Sequence, residues 1–291
     1  MVMATFFGVI AIFLWGLLAL LGSLTKQIPA FQLLFLCFSL SALIMFSFRF
    51  VRRKRVFQMP ALNKFQWLAG ITGLFGYHFC YFMALKLAPV IEVSLIAYLW
   101  PLLLSVMVAN PGNRVRATIG GGIGFIGVVI LISGEQSLSD LLSHGVGNDT
   151  IIWGYLLSLV CAGIWSSYSW FLSLTPSKVE DIGWLSLAVA AFSLIAHFSL
   201  EDGYWELSIY SLIGVLLLGL GPVGGAFYLW DMSLKNGNRQ LLASISFCTP
   251  LISAVILALA GLNDWSIYIV IALSLILLGA FVSNRRHSNG V

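Results

Sequence analysis

Residues 94–106 read SLIAYLWPLLLSV, and residues 243–255 read ASISFCTPLISAV. At this offset of 149, Ile96, Pro101, Leu102 and Val106 meet Ile245, Pro250, Leu251 and Val255 without a gap. The register runs back through Gly70, Gly76, Met83, Leu85 and Lys86, which meet Gly219, Gly225, Met232, Leu234 and Lys235. At an offset of 150, Trp15 meets Trp165, and Ser23-Leu24-Thr25 meets Ser173-Leu174-Thr175. Leucine and valine matches arise easily in apolar chains, so the Gly, Lys, Pro and Trp matches carry the repeat. Each quoted stretch is apolar for its whole length around one proline, and such runs recur along the chain.

The 291 residues are 60% hydrophobic and 9% charged, against about 25% charged in soluble domains. No single core could bury that much apolar surface, so the bilayer must act as solvent. A helix needs about 20 apolar residues to cross ~30 Å of hydrocarbon. Ten such spans are predicted: 4–25, 30–48, 65–86, 89–109, 116–134, 151–174, 182–200, 207–235, 239–261 and 265–284. The first lacks a basic start and a small-residue cleavage site, and is read as retained. Cys37, Cys80, Cys161 and Cys248 all fall inside spans with no CxxC pair, so neither a disulfide framework nor a metal site is expected. Too little chain remains for a soluble catalytic domain, and no cofactor or nucleic acid partner is expected.

Charge sets the expected orientation. One side carries Arg49, Arg52, Arg53, Lys54, Arg55, Lys64, Arg114, Arg116, Lys178, Lys235, Arg239, Arg285 and Arg286; the other carries only Lys26 and Lys86. Basic loops stay in the cytoplasm, which puts both termini there. Glu135, Asp140, Asp149, Glu201, Asp202, Glu206 and Asp264 all fall on the far side. With five spans per repeat, an odd number, the second must enter the membrane upside down. The expected architecture is an all-α membrane protein of two inverted five-helix halves, 1–137 and 151–287, as in many secondary transporters. A duplication retained only for folding is the alternative. Trp67, Trp153, Trp170, Trp184, Trp205 and Trp265 sit at span ends as an aromatic belt.

Pro101 and Pro250 lie mid-helix, where proline removes a ladder hydrogen bond and bends the helix. The carbonyls of Ala97 and Ser246 then need other partners in hydrocarbon, from packing or from a ligand. Ser94, Tyr98, Pro101 and Ser105 share one helix face. Trp15, Tyr98, Trp100 and Trp165 lie about 14–21 Å along their spans at 1.5 Å per residue, too deep for a belt. Tyr77 and Tyr81 share a face of span 3 with His78 beside them. Ordinary core packing would explain any one of these. As a set, with Phe247 and Pro250 as repeat mates of Tyr98 and Pro101, they are expected to line a central cavity for a ring-bearing ligand.

Gly120, Gly124 and Gly127 line one face of span 5 for close helix approach. Gly219, Gly221, Pro222, Gly224 and Gly225 make a hinge plausible in span 8. Asp231 and Lys235 are spaced for a helical ion pair, and Glu92 suits a helix N-terminus. His78 is read as the one ionisable side chain well inside a span, either functional or satisfied by a hydrogen bond. Asn148-Asp149-Thr150 is a glycosylation sequon, a pattern common by chance. No HExxH, GxSxG or paired aspartates lie within spans, so an enzyme is not expected.

The sequence resembles the EamA branch of the drug/metabolite transporter superfamily over essentially its whole length. The residues that carry this are Tyr81-Phe82-Met83-Ala84-Leu85, the Gly-rich span 5 and the proline of span 9. Ile91-Glu92-Val93-Ser94 with Tyr98-Leu99-Trp100-Pro101, Tyr228 with Trp230, and Gly237-Asn238 are similar to bacterial aromatic amino acid exporters within that branch. Where the branch often carries Gly-Glu after span 9, this chain reads Gly261-Leu262-Asn263. The resemblance implies export of aromatic and other neutral amino acids, or similar amphipathic metabolites, across a bacterial inner membrane. Alternatives are an exporter of other drugs or metabolites, or a non-transporting scaffold or lipid flippase. The sequence leaves the oligomeric state and the driving force open.

Overall fold

The computed structural model describes residues 1–133, 149–202, 205 and 207–284. Glu135, Asp140, Asn148, Glu206, Arg285 and Arg286, and the half boundaries at 137 and 287, lie outside the described residues. Among those described, ten apolar helices account for the ten predicted spans. They are α1 (Val2–Thr25), α2 (Ala30–Val51), α3 (Lys64–Leu87), α4 (Val90–Val108) and α5 (Pro111–Ser133), then α6 (Asp149–Leu174), α7 (Asp181–Leu200), α8 (Ile209–Asn236), α9 (Arg239–Ile245 with Cys248–Leu259) and α10 (Ile267–Asn284). The two parts of α9 meet at 43°.

Local sequence sets several helix starts. Asn63 and Gln66 form a capping box at α3, each side chain accepting from the other's backbone amide. Asn238 caps α9 through Leu241 N at 3.1 Å, and Ser208 caps α8 through Ser211 N at 3.2 Å. Pro29 and Pro89 immediately precede α2 and α4, where a missing amide costs nothing.

Two helices are irregular at equivalent places. In α3, Thr72–Gly76 forms a π-turn, and the Tyr77 amide donates to the Thr72 carbonyl five residues back. In α8 the helix is interrupted between Leu220 and Gly225, and the Ala226 amide donates to the Gly221 carbonyl at 2.9 Å. At the repeat offset of 149 these are the same hydrogen bond. A side chain at Gly224 would collide with the Gly219 carbonyl, so only glycine fits this chain path. The repeat mates Pro101 and Pro250 likewise follow short turns, at Tyr98–Leu99 and Ser246–Phe247.

Helices that the repeat offset pairs pack on one another. Along α2 and α7, the amides of Phe31 and Gln32 donate to Glu201 at one end. Ser41 and Ser186 hydroxyls meet at 2.9 Å in the middle. Arg49 Nε donates to Glu180 at 3.2 Å at the other end, beyond the start of α7. Along α5 and α10, a Cβ on Gly120 would lie 2.5 Å from the Gly279 carbonyl, and one on Gly127 would lie 3.1 Å from that of Ala272. Both mate pairs therefore run antiparallel, and the expected close approach of α5 is realised against α10. In addition, α1 lies on the second part of α8 while α6 lies on the second part of α3. Large apolar side chains cover the outside; on α8 alone Ile209, Leu212, Ile213, Leu216, Leu217 and Leu220 are exposed. Their natural solvent is lipid.

Candidate substrate site

Four indoles from four helices meet in the middle of the bundle: Trp15 (α1), Trp100 (α4), Trp165 (α6) and Trp230 (α8). Trp15 lies 5.1 Å from Trp230, 5.7 Å from Trp165 and 6.3 Å from Trp100, centroid to centroid. Trp100 lies 6.2 Å from Trp165 and 6.1 Å from Trp230. All five contacts are edge-on, the arrangement that ring quadrupoles favour. The four residues are 0–8% exposed, so the centre of this cage is filled by its own rings. Two indole N–H groups have buried partners. Trp15 Nε1 donates to the Pro222 carbonyl at 3.1 Å, and Trp230 Nε1 to Ser169 Oγ at 3.1 Å.

Repeat mates touch here. Trp15 and Trp165 are one such pair; His78 and Phe227, related by the 149 offset, lie 6.3 Å apart edge-on. Phe227 also lies 5.6 Å from Trp165 and stacks on Phe38 at 5.7 Å.

A polar rim adjoins the cage. Tyr77 packs 5.4 Å from Trp165, 5.1 Å from His78, and parallel to Tyr81 at 6.3 Å. The Tyr81 and Ser94 hydroxyls lie 3.4 Å apart. His78 Nδ1 donates to the Leu74 carbonyl at 2.6 Å; a carbonyl only accepts, so the neutral ring keeps Nε2 as an acceptor. Tyr77, His78, Tyr81, Ser94 and Tyr98 all retain accessible surface. The arrangement sets an apolar aromatic wall beside hydroxyl donors and an imidazole acceptor.

The other expected site residues lie elsewhere. Phe247 is buried in a second cluster with Leu95, Val128, Leu251 and Ile276, its ring against the bare face of Gly124. Tyr98, itself part of the polar rim, also packs on the edge of that cluster. Pro101 and Pro250 are both buried. The Ser246 carbonyl, expected to lack a partner, accepts from Thr249 N at 3.1 Å, because the short turn closes it locally. Gly219 presses on Leu40 and Cys37 of α2, while Gly221 and Pro222 form the break that Trp15 touches and Gly225 begins the next helical stretch. From the second half, Phe227 and Trp230 take the central places. They were absent from the expected set, yet they are the mates of His78 and Tyr81, and that register could have found them. Tyr228 instead donates to the Ser41 carbonyl at 2.7 Å.

Charged groups sit toward the helix ends. Lys235 and Asp231 pair at 2.7 Å, as their spacing predicts. His197, fully buried near the end of α7, pairs with Glu201 at 3.1 Å; His78 is thus not the one histidine enclosed by a span. Glu180 bonds Lys54 and Arg49, and the Lys54 hydrogen bond in particular holds its carboxyl below the usual range. Among the described residues, no group of His, Cys, Asp and Glu could hold a metal ion.

Known proteins resemble this chain in sequence and in fold. The profile of the EamA-like transporter family matches residues 2–133. The chain is 38% identical over 287 residues to the aromatic amino acid exporter YddG of Ancylobacter novellus, covering 96% of each chain. It is 24% identical over 271 residues to the YddG of Salmonella typhimurium, covering 88% of each. It is also similar to a solved crystal structure, with 36% identity and a TM-score of 0.86 over 97% of this chain and 96% of the other. An apolar ten-helix bundle with an aromatic centre, and a relative of this identity over nearly its full length, place the chain in the EamA-like family of multi-pass membrane transporters.

Proposed function

We propose that this protein exports aromatic and other neutral amino acids, or amphipathic metabolites like them, across a bacterial inner membrane. The observation that carries the reading is the tryptophan cage beside a rim of hydroxyls and an imidazole, midway along the apolar helices. An aromatic ring would pack against these indoles once the cage opens to admit it, while the ammonium and carboxylate of a zwitterion need acceptors and donors that leave no buried charge unpaired. The names of the exporter relatives support the same substrate class.

Trp15, Trp100 and Trp165 with Tyr77, His78, Tyr81, Ser94 and Tyr98 form the substrate site in this reading. Phe247, Pro101 and Pro250 shape the flanking helices. Halves 1–137 and 151–287 are inverted repeats with both termini in the cytoplasm, supported by the antiparallel mate pairs. Access alternates between faces as the cage opens, with α8 bending at Gly219, Gly221, Pro222, Gly224 and Gly225. A central site related by approximate twofold symmetry suits exposure to either side. In this reading transport runs down the substrate gradient, which fits a cage and rim that, among the described residues, contain no carboxylate.

Counterflow in proteoliposomes tests the function. Purified protein with internal unlabelled L-phenylalanine should drive transient uptake of labelled L-phenylalanine above equilibrium, and L-tryptophan should compete. Absence of counterflow with every neutral amino acid sinks the substrate class.

A further inference from the structure

The break in α8 shifts its hydrogen bonds by one residue. In an uninterrupted helix the Ala226 amide would donate to the Pro222 carbonyl, four residues back, and the Val223 amide to Gly219. Here Ala226 N donates to Gly221 and Val223 N to Leu218, each at 2.9 Å. Pro222 is buried, and a buried carbonyl must find some donor. Its donor comes from another helix: Trp15 Nε1 of α1, at 3.1 Å. The break and this orientation of the indole therefore support each other.

Trp15 also stands where an entering ring must go. It touches Trp100, Trp165, Trp230 and, at 6.1 Å, Phe227. It is the most accessible of the four indoles, at 8% against 0% for Trp230. The cage is filled by its own rings, so a substrate ring enters only by turning an indole aside. A Trp15 ring so turned carries its N–H away from Pro222. That same carbonyl is the acceptor Ala226 N would use in a straight helix. One carbonyl thus has two donors to choose between, one for the broken α8 and one for the straight. The Trp230 N–H is placed differently: it bonds to Ser169 Oγ of α6 and not to the break.

We propose that the Trp15 indole N–H is the positioning group that couples substrate entry to the bending of α8. Without substrate, its bond to Pro222 holds α8 in the broken form. A substrate ring displaces the indole and releases the carbonyl. Ala226 N then takes it, and α8 straightens. This rests on the transport reading above and gives Trp15 a task beyond lining the site. The consequence is kinetic: a carrier without substrate is latched and returns slowly, while a loaded one is free to alternate.

Efflux of labelled L-phenylalanine from proteoliposomes, with and without unlabelled L-phenylalanine outside, tests it. In the wild type, external substrate should speed efflux by about two- to tenfold, the worth of one net hydrogen bond. Trp15→Phe keeps a ring and loses the N–H, so its efflux should be equally fast with or without external substrate. Trp230→Phe loses a buried N–H that does not touch the break, and should keep the wild-type ratio at whatever rate it transports. No acceleration in the wild type, a retained ratio in Trp15→Phe, or its loss in both variants overturns the latch and leaves the proposed function standing. No transport of any neutral amino acid removes both. Should either variant fail to insert or to transport, amide NMR of the wild type in nanodiscs decides. Carbonyl-labelled proline with nitrogen-labelled valine selects Val90 and Val223, the two valines that follow a proline. Saturating L-phenylalanine should shift the Val223 signal as its amide passes from Leu218 to Gly219. An unmoved Val223 signal, with binding shown by calorimetry, overturns the proposal.

Discussion

Trp15 and Trp165 occupy equivalent places in the two repeats, and their rings meet 5.7 Å apart at 79° in the centre of the bundle. Two copies of a repeat related by a twofold axis bring mates together only where the axis passes. The proposed site would therefore lie on the axis of the proposed inverted repeat, with both halves contributing to it.

Truncating an indole there should disable transport. Trp→Ala in a core costs about 3–5 kcal/mol in stability, so Trp100→Phe is the safer variant. It should cut phenylalanine counterflow at least about tenfold, with membrane insertion and monodispersity retained. Trp153→Ala, an exposed belt position, should transport within about twofold of wild type. Reversal of these two results would relocate the site.

The break in α8 and the π-turn in α3 should respond differently to added bulk. Gly224→Ala places a methyl group against the Gly219 carbonyl and should lower the maximal transport rate more than the apparent affinity. Gly76→Ala puts its methyl 3.4 Å from the Thr72 side chain, an ordinary contact, and should be tolerated. Initial-rate kinetics on both variants separate these outcomes.

Orientation is read by cysteine labelling in intact cells, in a background without native cysteines. Cysteines at Asp202 and Asp264 should react with a membrane-impermeant maleimide from outside. Those at Arg53 and Arg114 should react only after permeabilisation. External labelling of residue 53 would remove the cytoplasmic placement of the basic loops.

The Arg49–Glu180–Lys54 contact ties the end of α2 to the α6–α7 connection. Glu180 titrates below its ordinary value, so its contribution to stability is complete above the unfolded value of about 4.3 and is lost as pH falls through the folded value. Thermal unfolding in detergent should show wild type above Glu180→Gln at neutral pH, the gap closing on acidification below about 4. A gap that widens instead would contradict the pairing.

The spans were legible because they rest on a long-range regularity, apolar runs of membrane length. Trp15, Trp100 and Trp165 were legible by depth. Phe247 was misplaced because pairing it with Tyr98 assumed that every mate meets at the centre. Residues off the axis go to separate surroundings, and Phe247 fills the space left by Gly124. The π-turn at Thr72–Gly76 gave no warning because the segment contains no proline. Only its alignment with the Gly-Pro break of α8 marks it. His197 was overlooked because it falls close to a span end, where a histidine is usually solvated. Its burial depends on Glu201, which also accepts the first amides of α2.

The packing of α2 on α7 and of α5 on α10 has a consequence for how such a chain can be assembled. A surface that fits its own mate in antiparallel fashion is isologous: the patch used by one half is the patch offered by the other. Gly120 facing Gly279, and Ser41 facing Ser186, are contacts that two separate half-length chains of opposite insertion could make. In the proposed inverted arrangement, the covalent connection between α5 and α6 would serve stoichiometry, guaranteeing one copy of each orientation. Once the halves are tethered, each is free to diverge, as Asp231 has from Phe82, and the two ends of a symmetric frame can acquire different chemistry.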